Sequence, residues 1–421
     1  MFHERWVALL LFIGVLGMLW RMPALIALSV FPLVAFILSR ALSQFTLRGV
    51  SYRRKLSQTR AFVGEQIDVT GRIENRSRLP VLSLFLRDDS PSGFIEIDPH
   101  TREVIEMDAT GKVSLSQISS LKPKSMASRT FHLCATQRGY FRFSPLLLRG
   151  VDLLGMTESE RTEDRPDSIL VYPRMFTLDE LNLAAKQPLG GLASLRRLIE
   201  DPSRNMGARD YLPSDSFRQI HWKATAHRGI LQTRVNEHTS EPTVVLMLCV
   251  STFEDVWFGS DVERFEWAVS VAASLATWAH ESKCAIGLTT NGATPGFPEM
   301  IRVSARHSPD QLARVLETLS MLGAYTMARF EEFLLREQHR IPPNAAQIIV
   351  TPMMNEKIES SLLYLCERGK RIAIVCVDHA VKFTRALPCP VYHLPPSAEF
   401  VSWTQRYVSP QSRKLKVEST K

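Results

Sequence analysis

The chain lacks the short motifs by which most enzymes declare their chemistry. Nowhere in its 421 residues is there a Gly-x-Ser-x-Gly elbow, a phosphate-cradling Gly-x-x-x-x-Gly-Lys loop, a Gly-x-Gly-x-x-Gly turn or a His-Glu-x-x-His pair. Cysteine is scarce as well: there are six, none in a Cys-x-x-Cys pair, several inside apolar runs such as Val244–Val250 and Ile372–Val377. Unpaired cysteine behaves as a small buried hydrophobe, so reduced interior thiols are expected rather than a disulfide framework. Cys376, Asp378 and His379 have ligating chemistry, but no second ligand pair stands at zinc spacing. No cofactor is expected.

Acidic residues are missing from one telling stretch. Between residues 40 and 60 the chain carries Arg40, Arg48, Arg53, Arg54, Lys55 and Arg60 with no Asp or Glu. The whole chain is at +8 with a pI of about 9.2. Most of that excess lies in this stretch and in the last nine residues, which leaves 61–412 at −2. A broad basic face for nucleic acid is not supported by such a body. The basic cluster directly follows Trp6–Ser39, an almost wholly apolar run broken only by Arg21, Met22 and Pro23. As one helix that run would be about 50 Å long, against a hydrocarbon core of about 30 Å. The expectation is therefore a helical hairpin of two short spans, Trp6–Trp20 and Ala24–Ser39. A secretory signal peptide fits poorly, because no small-residue cleavage site follows the first run. The positive charges after the second span then place the body in the cytoplasm and offer a contact to anionic membrane lipid through 40–60.

The length accommodates two or three domains at roughly 100–200 residues each. From 43 to 175 the chain shows short alternating runs, Gln66–Glu74 most clearly, separated by Pro, Gly and Asp-rich breaks. That pattern reads as a β-sandwich-like module. Residues 176–240 form a connector with a helical run near Leu178–Ala185. Over 241–408 strands (Val244–Val250, Cys284–Thr289, Gln347–Thr351, Arg371–Val377) alternate with amphipathic helices (Val262–Glu281, Pro309–Leu322, Asn355–Arg368). The expectation there is an α/β domain with a mostly parallel sheet covered on both faces, and residues 409–421 are a basic tail. In such sheets ligands gather at the carboxyl ends of strands, here near Ser251, Thr290 and Thr351.

One segment mixes charge, aromatics and turn residues more densely than any other. It holds Arg209, Tyr211, Asp215, Arg218, Ile220, His221, Trp222, Lys223, Ala226 and Arg228, followed by Leu231 and Glu237. In this order and spacing it resembles the hallmark of the bacterial membrane proteins carrying domain of unknown function 58. Val63-Gly64-Glu65, Arg138-Gly139-Tyr140, Asp152-Leu153-Leu154-Gly155 and Val171-Tyr172-Pro173 extend the resemblance over nearly the whole chain. The resemblance implies a bacterial inner-membrane protein on a two-span anchor (1–42), with a carboxy-terminal half similar to a von Willebrand factor A domain. It further implies work beside MoxR-type AAA+ ATPases or other A-domain proteins in protein assembly or remodelling, and no enzymatic activity.

The chain departs from that pattern at its metal-ion-dependent adhesion site. An A-type domain needs Asp-x-Ser-x-Ser after its first strand, but here Cys249, Ser251 and Phe253 hold those places, and the later loop at Thr351 also lacks its acid. Hard cations want carboxylate and hydroxyl oxygen, so this is a degenerate site and no metal is expected. For the hallmark two readings stay open. Arg209, Asp215 and Arg218 are either an ion-paired clamp with Tyr211 and Trp222 covering an interdomain seam, or a docking surface, since Arg, Tyr and Trp dominate binding hot spots. The functional expectation is a membrane-anchored, cytoplasm-facing scaffold or adaptor. The rival is a hydrolase with His221 as general base beside Asp215, for which no activated nucleophile is evident.

Overall fold

A computed structural model describes residues 2–78, 80–97, 117–151, 158–164, 166–177, 180–181, 205–212, 217, 220–236, 242–254, 259–378 and 383–407. The apolar amino-terminal run folds as two helices, α1 (Phe2–Leu19) and α2 (Pro23–Thr46), joined by a turn at Arg21 with φ 55°. Pro23 opens α2 because its missing N–H costs nothing at a helix start. The helices approach closely where side chains are small: a Cβ on Gly17 would lie 2.9 Å from the Leu25 Cβ, and one on Gly14 would lie 2.9 Å from the Ser29 hydroxyl.

The expected transmembrane hairpin, and with it the two-span inner-membrane anchor, is corrected here. Among the described residues no helix is long and apolar enough to cross a membrane. The physical reason is length. α1 has 18 residues and opens on Phe2-His3-Glu4-Arg5, so its apolar part rises only about 21 Å. α2 has 24 residues, but its last turns carry Arg40, Ser43 and Gln44 and its apolar part rises about 24 Å. Both fall short of a hydrocarbon core of about 30 Å.

The chain divides into two compact units, Met1–Thr136 with Phe141–Ile169, and Gln137–Tyr140 with Leu170–Lys421. The strands up to residue 172 are β1 (Val50–Leu56), β2 (Arg60–Phe62), β3 (Gln66–Asn75), β4 (Val81–Arg87), β5 (Phe94–Glu96), β6 (Gln117–Leu121), β7 (Met126–Ala135), β8 (Gly139–Arg142), β9 (Leu146–Val151), β10 (Glu158–Glu163) and β11 (Ser168–Tyr172). In the first unit one antiparallel sheet runs β1-β3-β7-β5 and another runs β10-β9-β4-β6. Alternation builds the core: Ile67, Val69 and Ile73 of β3 are buried while Gln66 and Arg72 are exposed. Tyr52, Ile73, Leu84, Leu86, Leu146 and Leu148 pack together inside.

That core also holds a charge. Arg54, one of the six basic residues of 40–60, is wholly buried and ion-paired to the equally buried Asp88, with Asp167 as a second carboxylate 3.1 Å away. Tyr52 donates its hydroxyl to Asp88 Oδ2 at 2.7 Å, and the guanidinium lies 4.4 Å from the Phe143 ring centre. Burial, then the Asp88 charge, pushes the Tyr52 phenol above its ordinary range. The basic cluster is thus not a uniform surface feature.

The second unit contains the hairpin strands β12 (Asn205–Asp210) and β13 (Gln232–Asn236) with the short helix α3 (Trp222–Arg228) between them. Its main sheet comprises β14 (Thr243–Leu248), β15 (Ala285–Thr294), β16 (Phe297–Arg306), β17 (Ala346–Thr351), β18 (Arg371–Cys376) and β19 (Val391–His393). The strand order is β16-β15-β14-β17-β18-β19, parallel throughout except for the β15–β16 pair. Helices α4 (Val262–Glu281), α5 (Gln311–Met321), α6 (Phe330–Glu337), α7 (Glu356–Glu367) and α8 (Ala398–Tyr407) complete it.

Period-two geometry splits β14 between two cores. Val244, Leu246, Leu248 and Val250 face a cluster with α4, whereas Val245, Met247 and Cys249 face one with α6 and α7. Asp261 caps α4 by accepting from the Glu263 and Arg264 amides. Arg138, from the triplet that carries part of the family resemblance, is buried in this unit. It donates to the carbonyls of Leu319 and Leu322 at the end of α5, 3.2 and 3.1 Å away, and its Nε lies 2.9 Å from Glu266 of α4. A cation at a helix carboxyl end satisfies orphan carbonyls and complements the helix dipole.

Candidate functional site

The hallmark segment forms an antiparallel ribbon with a helix inserted in it. β12 and β13 pair Arg209 with Thr233 and Asp210 with Gln232, and Gln232 donates to Asp210 Oδ1 at 2.5 Å. The Tyr211 amide donates to the Leu231 carbonyl and the His221 amide to the Gln232 carbonyl, at 2.9 and 2.7 Å. Ile220, Gln232 and Thr233 are buried and seat the ribbon. α3 is closed locally at both ends. His221 Nδ1 accepts from the Ala224 amide at 3.1 Å, and Gly229, at φ 72°, returns its amide to the Thr225 carbonyl.

No residue of α3 is buried. Trp222 is 66% exposed, and Phe217, Leu212, Ile230 and Leu231 are exposed beside it in sequence. Lys223, His227 and Arg228 are exposed on the same helix. Of the predicted residues, Arg209 is exposed and donates to the Asp210 carbonyl, Tyr211 is half-buried with its ring 5.8 Å from that of Phe217, and His221 is half-buried as the helix cap. Asp215, Arg218 and Glu237 lie outside the described residues. Trp222 keeps two thirds of its surface in solvent within this unit.

The second expected locus, at the carboxyl ends of β14 and β17, sits beside a cleft of about 290 Å³. Of the four degenerate positions, Ser251 and Phe253 line it. Cys249 is buried in the core, where burial pushes its thiol up to about 12. Thr351 is also buried and donates its hydroxyl to its own loop at the Met353 carbonyl, 2.5 Å away. Thr290 likewise turns inward and accepts from the Gly292 amide.

Behind the cleft stands Asn291, a residue that no motif in the sequence points to. Fully buried, it accepts from the Val250 amide at 2.9 Å and donates to Ser251 Oγ and the Ala328 carbonyl at 3.2 and 3.0 Å. Ser251 Oγ also meets Thr326 Oγ1 at 3.1 Å. Among the described residues its hydrogen-bond partners are thus an amide and a hydroxyl. Arg329 and Lys357 bring positive charge to the cleft and Glu254 and Glu331 negative charge. The available signal for Asn291 was its position, a polar residue after the Thr289-Thr290 pair that closes the apolar run Ala285–Leu288 of β15.

The second unit is thus a mostly parallel α/β sheet preceded by a ribbon whose helix has no buried residue. Comparison with known proteins adds the family. Residues 207–388, which begin at the hallmark ribbon and take in the α/β sheet through β18, match the family described as protein of unknown function DUF58. An uncharacterised protein of Bacillus subtilis (strain 168), YeaD, is 23% identical over 340 residues, covering 79% of this chain and 77% of its own length. The second unit is thus similar to that family, and the chain over most of its length is similar to YeaD. Among solved structures, the cupredoxin domain of amoB from Nitrosocaldus yellowstonii is 12% identical, with 30% of this chain and 87% of its own covered, at a TM-score of 0.20. The PapD-like domain 7 of human CEP192 is 10% identical, with 29% and 83% covered, at 0.18. At those scores neither likeness bears on this architecture.

Proposed function

We propose that this chain is a non-catalytic protein-binding adaptor whose docking element is the β12–α3–β13 ribbon. The carrying observation is that α3 buries none of its residues yet presents Trp222 largely to solvent. A short helix with no buried residue contributes little to a core, and its ends are closed by local caps. Exposed large apolar groups rimmed by charge mark interaction surfaces, and Trp is the residue type most enriched at binding hot spots. The segment carries Arg209, Arg218, Lys223, Arg228 and Arg234 against Asp210 and Asp215, which favours an acidic partner face.

The family resemblance supplies the partner class: a MoxR-type AAA+ ATPase, or another protein with a von Willebrand factor A-like domain, acting in assembly or remodelling. The hydrolase reading is less well supported, because His221 Nδ1 is already engaged as the α3 cap. The test is direct binding of the purified chain to a purified MoxR-type ATPase from the same genome. Saturable binding that Trp222→Ala weakens supports the proposal. Absence of binding by the intact chain, or binding indifferent to Trp222, counts against it.

A further inference from the structure

Two of the six cysteines stand apart. Cys249, Cys284 and Cys376 are buried and Cys134 is half-buried on β7, whereas Cys366, in the last turn of α7, and Cys389, just before β19, are half-buried against one apolar cluster. That cluster lies beside α7, and each side chain bears on the other's thiol. The backbone arranges this meeting. Phe383, Leu387 and Cys389 pack on the same apolar cluster as Ile358, Leu362 and Leu365 of α7. The Thr384 amide donates to Glu359 Oε1 at 2.8 Å. Glu359 and Cys366 are two helical turns apart, so they share a face of α7 and lie about 10 Å apart along its axis. Thr384 and Cys389, five residues apart, can span up to about 17 Å. The 383–389 segment is thus a strap along α7, tied at one end by a hydrogen bond and meeting the helix at the other through the thiol pair.

We propose that Cys366 and Cys389 form a redox modification site, at which a peroxide converts the thiol pair into an intramolecular disulfide that locks the strap onto α7. In the first step the Cys366 thiolate attacks one peroxide oxygen and the O–O bond breaks. Cys366 becomes a sulfenic acid and the other oxygen leaves as water. The Cys389 sulfur then attacks the Cys366 sulfur, the S–S bond forms, and the sulfenic oxygen leaves as a second water. Two thiols lose two electrons and the peroxide gains them. A reducing thiol reverses the change by exchange. The order of attack follows from the pair itself: the neighbouring Cys389 holds the Cys366 thiol below its ordinary range against burial, while Cys366, and burial after it, push Cys389 up.

The test oxidises the full-length chain with hydrogen peroxide, blocks free thiols with N-ethylmaleimide in denaturant, and digests with trypsin. Cleavage after Arg368 and Arg385 places the two cysteines on different peptides. A cross-linked Cys366–Cys389 peptide pair that disappears on reduction is the expected result. It should form before the buried thiols react and persist in Cys134→Ser. Cys366→Ser should abolish it and leave Cys389 labelled by the maleimide. Recovery of both cysteines as maleimide adducts while other thiols are oxidised overturns the proposal, as does pairing of either one with a different cysteine.

Discussion

Replacing Trp222 by alanine separates a docking residue from a structural one, because the two roles predict opposite balances of stability and binding. The ring keeps 66% of its surface in solvent. About a third of a side chain of about 250 Å² is then covered, roughly 80 Å², which limits the loss of stability to about 2 kcal/mol. Trp267 provides the internal contrast. It is 2% exposed, donates Nε1–H to the Leu394 carbonyl at 2.7 Å, and its ring centre lies 5.1 Å from that of Phe176 and 4.8 Å from that of Phe400. Its alanine variant should lose about 3–5 kcal/mol. If Trp222 anchors a partner, truncation should cost at least about 2 kcal/mol of binding, close to a thirtyfold rise in Kd. Thermal unfolding followed by circular dichroism and titration calorimetry against a purified MoxR-type ATPase give the two numbers. A Trp222→Ala protein that melts as early as Trp267→Ala, or one that binds as tightly as the parent, would refute the reasoning.

Other expectations are more local. Asp88→Ala strands the buried Arg54 charge and should cost about 3–5 kcal/mol, against about 1.5–3 kcal/mol for Tyr52→Phe, which removes one hydrogen bond to a charged acceptor; equal unfolding midpoints for the two would contradict the network. Gly229→Ala meets no atom within 4 Å but forces a side chain to φ 72°, so α3 should lose about 1–2 kcal/mol. Amide exchange in α3 should speed up while the global midpoint holds, and unchanged exchange would argue against the cap. Glu337 is gripped by Arg302 through two bonds of 2.7 and 2.8 Å. Burial opposes ionisation there, yet the Arg302, Arg340 and Arg336 charges hold its carboxyl below the usual range. A depressed carboxylate stabilises fully above its unfolded value of about 4.3 and ceases to as pH falls through the folded value. The stability gap between the parent and Arg302→Met should therefore close in acid, and a gap that is the same at neutral and strongly acidic pH would exclude this linkage.

How far the chain could be read in advance depended on whether the signal was local. The helix over Val262–Glu281 is legible because one apolar face repeats at helical spacing and Asp261 precedes it. The alternation of Gln66–Glu74 is legible for the same kind of reason at period two. The hallmark could be singled out by composition, but its burial could not. Whether Trp222 is covered depends on what lies opposite it in space, and nothing in residues 205–236 encodes that. The amino-terminal hairpin misled because hydropathy counts apolar residues without asking how many share one uninterrupted helix. A polar start in α1 and Arg40 with its neighbours in α2 shorten both.

By itself, then, the sequence determined the local elements, the absence of familiar catalytic motifs, and the segment on which function was to be sought. All of these follow from neighbours along the chain: periodicity, capping residues and motif spacing. Only the tertiary structure decided that Arg54 is an internal charge, that His221 is a helix cap, that no residue of α3 is buried, and that the 383–389 segment lies along α7. Each of these is a contact, or the lack of one, between groups brought together by folding. Arg54 and Asp88, or Glu359 and Thr384, are distant in sequence and adjacent in space. Burial and pairing belong to that second geometry, and with them the affinity, charge and reactivity on which any function of this chain rests.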